Sequence, residues 1–211
     1  MIAYSKLYLA NAQKNLALAF DYAVHYMDVE FGAFYNAFAS STFGKKFASG
    51  DPYIISGMSG IELAMRVIYE KKVPHSHPRI MRSNGGRSPE YWAGWALSYF
   101  QWESGFAFSK IAEFLSADEL LQMYPKYHEM DISSFCDKLA ELKEARQGVS
   151  PLKRLRQKLG LSQTELSTLS GVPLRTLQQY EQRQKDIKKA QAQYVLRLAS
   201  VLSCSPAELL D

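Results

Sequence analysis

The chain has 211 residues, 47% of them apolar and 22% charged, with a net charge of +4 at neutral pH. That balance is typical of a folded globular protein and excludes a low-complexity chain, and the length allows one or two domains. No apolar run is long enough to span a bilayer and the N-terminus carries no basic-then-apolar signal segment, so a cytoplasmic protein without a membrane partner is expected.

In chain order, residues 2–27 place apolar side chains at 9, 16, 20, 23, 24 and 27, a helical stripe. A second helix is predicted over 29–40, capped by Asp28, with Phe31, Phe34, Phe38 and the following Phe43 on or near its buried side. Gly50, Asp51, Pro52, Gly57 and Gly60 then break the pattern. Ser59 and Glu62 form a capping-box pair for a helix running to about Tyr69. Residues 71–87 read as a loop, and Ser88-Pro89-Glu90 starts an aromatic helix from Tyr91 to about Glu103. Shorter helices are predicted near 107–115 and 117–123, and a longer one over 131–147.

Three features of this region invite a chemical reading. His75 and His77 sit close together, but a zinc site needs three or four ligands, so a solvated loop is the plainer reading. Ser83-Asn84-Gly85-Gly86-Arg87 precedes a helix start, a geometry that can hold an anion, with Arg87 as anchor; a plain loop is the alternative. Trp92, Trp95, Tyr99 and Trp102 share one helical face, either as core or as part of an interface. Cys136 and Cys204 lie in separate predicted helices without metal spacing and read as buried thiols. No nucleophile–base pair, carboxylate pair or metal motif is present. Catalysis, a metal and a cofactor are therefore not expected.

From Ser150 onward the chain reads as five short helices. Ser150 caps the first, with Pro151 at its opening position, and Gly160 ends it. Ser162 and Glu165 form a capping box for a second helix, Gln163 to Ser170. Gly171 supplies a tight turn, and Pro173 starts a third helix running to about Gln182. Leu166, Leu169, Val172 and Leu177 are spaced to pack the second helix against the third. A fourth amphipathic helix follows over 190–202, and Ser205-Pro206 opens a fifth. Residues 149–211 hold ten Lys/Arg against five Asp/Glu, a net +5, which leaves −1 for residues 1–148. The basic charge belongs to one module, as a phosphate-binding surface requires.

The segments LSQTELS, GVPLRTL and QQYE resemble the Xre/Cro/C1-type (lambda-repressor-like) helix-turn-helix family over about sixty residues. Ser167, Pro173 and Arg183 stand where that pattern usually has Ala, Ser and Gly. The resemblance implies an all-α chain with a helical domain, 1–148, for dimerisation or partner binding, and a five-helix DNA-binding domain, 149–211. It implies that the third helix enters the major groove. Leu174, Arg175, Gln178 and Gln179 then face base edges, Arg175 suited to guanine and Gln178 or Gln179 to adenine. Gln163, which matches a phosphate contact of the family, joins Thr176, Arg183, Lys185, Lys188 and Lys189 on the backbone. Tyr180 is either core or a hydroxyl reaching phosphate. Further upstream, SGIEL at 59–63, SPEYWAGWALSYFQWESG at 88–105 and MYPKYHEMDISSF at 123–135 resemble Firmicutes helix-turn-helix regulators of antitoxin-like type.

The function so implied is a sequence-specific transcriptional autorepressor, a homodimer on an inverted-repeat operator in double-stranded DNA, with a toxin protein bound by residues 1–148. Two alternatives stay open: a protein-interaction adaptor, and a ligand-sensing regulator unconnected to a toxin. The short join, 148–150, is expected to hold the DNA-binding unit at a defined angle.

Overall fold

Small residues set how closely the helices of the N-terminal half approach one another. The computed structural model describes residues 2–77 and 88–210. Every regular element among them is helical. Contacts divide the chain into two compact units, Met1–Arg146 and Gln147–Asp211.

Helix α1 (Leu9–Met27) is the axis of the first unit and buries Ala12, Leu16, Ala17, Ala19, Phe20 and Ala23. Helices α4 (Gly60–Lys71) and α5 (Pro89–Ser104) pack along it. A Cβ at Gly94 would lie 2.5 Å from the Leu16 carbonyl oxygen, and one at Gly60 would lie 2.4 Å from that of Asn15. Both glycines are therefore close-approach residues, which only the absence of a side chain permits. Helices α2 (Phe31–Ser40) and α3 (Thr42–Ala48) add an aromatic cluster. Phe20 meets Phe34 edge-on at 5.4 Å, and Phe38 meets Phe108 at 4.8 Å. Edge-to-face packing suits the ring quadrupoles. Short helices α6 (Phe108–Ala112), α7 (Ala117–Gln122) and α8 (Tyr124–Tyr127) lead to α9 (Ile132–Gln147).

Polar contacts fix the ends of the long helices. Ser88 caps α5, accepting from the Tyr91 N–H at 2.9 Å and donating to Asp21 at 2.6 Å. His25 in the last turn of α1 meets Glu90 at 3.0 Å, so the end of α1 and the start of α5 are joined twice. Glu119 of α7 is held by Arg146 of α9 and by the Ser116 cap, which keeps its carboxyl down to about 2.

Several expectations change at this level. Helix α1 begins at Leu9 rather than near residue 2, after a 3₁₀ turn at Lys6–Tyr8. The preceding backbone pairs elsewhere: the Ala3 N–H donates to the Trp102 carbonyl, and the Trp102 indole donates to the Tyr4 carbonyl. Asp28 does not cap α2; it ends α1 in the left-handed region, φ 52°. Glu30 is the cap, its two oxygens accepting from the Gly32 and Ala33 N–H groups at 2.7 and 2.6 Å. Ser59 caps α4, but the reciprocal half of the box is missing because Glu62 binds Arg66 one turn on. Helix α3 was not predicted; Ser41 caps it through the Gly44 N–H at 2.8 Å.

Of the aromatic stripe, Trp92 and Trp102 are buried while Trp95 and Tyr99 are half-buried. Cys136 is buried, and burial together with the neighbouring Glu103 pushes its thiol up. Cys204 is only half-buried, and both cysteines are free thiols. The ring of His75 bonds the Val73 carbonyl at 2.9 Å and packs edge-on against Tyr69. No group of three or more His, Cys, Asp or Glu gathers among the described residues. No helix among them is long and apolar enough to cross a membrane. The anion-loop reading of Ser83–Arg87 falls outside the described residues.

Candidate nucleic-acid interface

Five helices build the second unit: α10 (Pro151–Lys158), α11 (Gln163–Ser170), α12 (Leu174–Glu181), α13 (Ala192–Val201) and α14 (Pro206–Leu210). Their starts follow local chemistry. Ser150 caps α10 through the Lys153 N–H at 3.2 Å, with Pro151 where an N–H would be orphaned. Ser162 and Glu165 complete a reciprocal capping box, at 3.1 and 2.7 Å, which holds the Glu165 carboxyl below its usual range.

The turn between α11 and α12 is sharply specified. Gly171 ends α11 at φ 65°, in the left-handed region that favours glycine. Ser167, which departs from the family pattern, donates its hydroxyl to the Val172 carbonyl at 2.7 Å and ties α11 to the turn. Pro173 is the residue before α12 rather than its first; its carbonyl accepts from the Thr176 and Leu177 N–H groups. The core holds Leu152, Leu166, Val172, Leu177, Leu198, Leu202 and Leu209. Leu169, expected among them, is 61% exposed. Ser170 takes the inward place one turn after Leu166 and satisfies its hydroxyl on the Leu166 carbonyl at 2.6 Å.

Helix α12 presents two faces. Leu177, Tyr180 and Glu181 are buried, and Arg175 is exposed. Leu174, Thr176, Gln178 and Gln179 are half-buried between them. Tyr180 packs in the core, where burial raises its phenol with Tyr194 adding to the shift. Beyond Gln182 the chain folds back, and the N–H groups of Gln184 and Lys185 both donate to the Gln179 carbonyl, at 2.9 and 3.1 Å. Arg183 makes that reversal at φ 57°, a left-handed position occupied by a non-glycine residue. Asp186 caps a 3₁₀ turn at Ile187–Lys189. Arg183, Lys185, Lys188 and Lys189 are all exposed along this loop.

A buried ionic network lies behind this surface, and sequence reasoning missed it. Arg156 of α10 grips Glu181 of α12 through two bonds, at 2.5 and 2.9 Å, and donates a third to the Leu161 carbonyl at 2.6 Å. The Gln163 amide donates to Glu181 at 2.8 Å, and Gln178 donates to the Gln163 oxygen at 3.4 Å. The available signal was positional: Glu181 stands one turn after Leu177, on the core face of an amphipathic helix. Arg156 and Glu181 cancel internally, so the net +5 of the segment rests on its other side chains.

A sequence model of the helix-turn-helix family matches residues 152–209. The C-terminal unit is an Xre/Cro/C1-type helix-turn-helix domain. Neither a comparison with curated proteins nor one with solved structures gives a match. Within this domain α11, the turn at Gly171 and α12 form the helix-turn-helix. A domain of this family makes the chain a DNA-binding transcription regulator.

Proposed function

We propose that the protein is a sequence-specific repressor that reads its operator with α12. The observation that carries this reading is the pairing of an exposed arginine on α12, Arg175, with four exposed cations in the loop that follows the same helix. Arg175 is suited to a guanine, and Gln178 and Gln179 to adenine. Leu174 supplies apolar contact at the N-terminal end of the helix. Thr176, Arg183, Lys185, Lys188 and Lys189 hold phosphate and fix register, with Gln163 beside them at the start of α11.

The finer reading is an autorepressor of antitoxin type that binds as a homodimer to an inverted repeat, its N-terminal unit taking a toxin protein. Its support is the resemblance of 59–63, 88–105 and 123–135 to antitoxin-like regulators. Footprinting on the DNA upstream of the protein's own gene, with a reporter fused to that promoter, tests it. A protected inverted repeat with reporter activity falling as the protein is supplied is expected. Protection without repression would reject autorepression, and no protected site would reject the operator there.

A further inference from the structure

We propose that the first unit has a binding site for one buried water molecule, formed by Tyr4, Ser98 and Gln101, which fastens the N-terminal segment to α5.

Among the described residues, three buried side-chain atoms have no hydrogen-bond partner: Tyr4 Oη, Ser98 Oγ and Gln101 Oε1. They belong to one neighbourhood. Ser98 and Gln101 are fully buried and lie three positions apart on α5, so they share a helix face. Burial pushes the Tyr4 phenol up to about 12, and the Ser98 hydroxyl beside it offsets part of that rise. The Tyr4 side chain packs over Gly50, where an added Cβ would lie 2.6 Å from that of Tyr4. Its backbone is fastened to the same stretch of α5: the Trp102 indole donates to the Tyr4 carbonyl at 2.9 Å, and the Ala3 N–H donates to the Trp102 carbonyl at 2.8 Å. A buried hydroxyl or amide without a partner is costly, and native structures rarely keep several together.

Donor and acceptor chemistry says what fits. Gln101 Nε2 donates to the Ala48 and Phe106 carbonyls, at 3.1 and 3.2 Å. Carbonyls only accept, so the amide orientation is decided and Oε1 is left as an acceptor. The phenol keeps its proton at neutral pH, and both hydroxyls can donate. The site thus offers two donors and one obligate acceptor, all neutral. A water accepts from both hydroxyls through its lone pairs and donates to Gln101 Oε1. That makes three bonds, the usual number for a buried water. An ion of either sign would be held by neutral groups alone, which is far less favourable.

The competing account leaves the three groups unpaired, and it predicts the opposite sign. Removing an unpaired buried hydroxyl relieves strain, so Tyr4→Phe or Ser98→Ala would leave stability unchanged or raise it. Removing a partner of a bound water loses a bond.

The test is a crystal structure of the full chain at a resolution that shows ordered water. Alongside it, denaturant unfolding is measured for the wild type, Tyr4→Phe, Ser98→Ala and the double variant. The tryptophans, at 92, 95 and 102, all belong to the first unit, so their fluorescence follows its unfolding in the full chain. A density peak at about 2.5–3.2 Å from all three atoms is expected. Each single substitution should raise the unfolding constant, roughly fivefold. The double variant should lose less than the product of the two, because both substitutions act on the same molecule. A direct bond between two of these side chains with no peak between them overturns the proposal. So does a Tyr4→Phe variant that is as stable as the wild type or more so.

Discussion

Arg156 and Glu181 are 25 positions apart in the chain and meet side by side in the core of the C-terminal unit, at 2.5 and 2.9 Å. Burial of this kind holds the carboxylate in place only while its partner is present. Removing one member of a buried pair leaves an uncompensated charge, which is far worse than removing both. Arg156→Met or Glu181→Leu alone should destabilise the unit by about 3–5 kcal/mol, while the double substitution should fall close to wild type or above it. Denaturant unfolding of the four proteins measures this directly.

The backbone at Arg183 leads to a second prediction. A non-glycine residue at φ 57° carries a left-handed penalty of about 1–2 kcal/mol. Arg183→Gly should therefore raise the melting temperature. If the side chain holds phosphate, the same substitution should also lower the salt slope of DNA binding by about 1. A stabilised variant with weaker, less salt-sensitive binding is the expected result.

Arg175 and Lys188 should separate by kind of effect. Arg175→Ala is expected to lose roughly 1–3 kcal/mol of binding at one base pair and to relax selection there. Lys188→Ala should weaken specific and nonspecific binding alike. Titrations against the selected site and a scrambled duplex, at several salt concentrations, distinguish the two.

The N-terminal unit should respond to acid through Glu119. Arg146 and Ser116 hold its carboxyl down to about 2, below its ordinary value of 4.5. A depressed carboxyl contributes stability that is fully present above its unfolded value and is lost as pH falls through the folded one. The difference in melting temperature between wild type and Glu119→Gln should be present at pH 6 and vanish between about 4.5 and 2.

Local chemistry in the chain was the legible part. The caps at Ser150, Ser162 and Ser88 and the turn at Gly171 each depend on residues within four positions, and each is found where the pattern places it. Pairings across the fold were not legible. Periodicity treats a charged residue as exposed, so Glu181 on the core face and its distant partner Arg156 went unread. Leu169 was misplaced for a related reason: an apolar side chain three positions from Leu166 looks inward, yet Ser170 occupies that place. The cap of α2 shifted from Asp28 to Glu30 because Asp28 was already used to end α1, which hydropathy does not register.

The measurement closest to the central claim is the ratio of specific to nonspecific affinity of the full chain. It is taken on duplexes from upstream of its own gene, with excess nonspecific competitor and at two salt concentrations. Sequence-specific recognition predicts one short site bound at least about a thousandfold more tightly than scrambled DNA, surviving competitor at both salts. Binding that competitor and salt erase equally on every duplex would leave only the phosphate contribution and contradict the account.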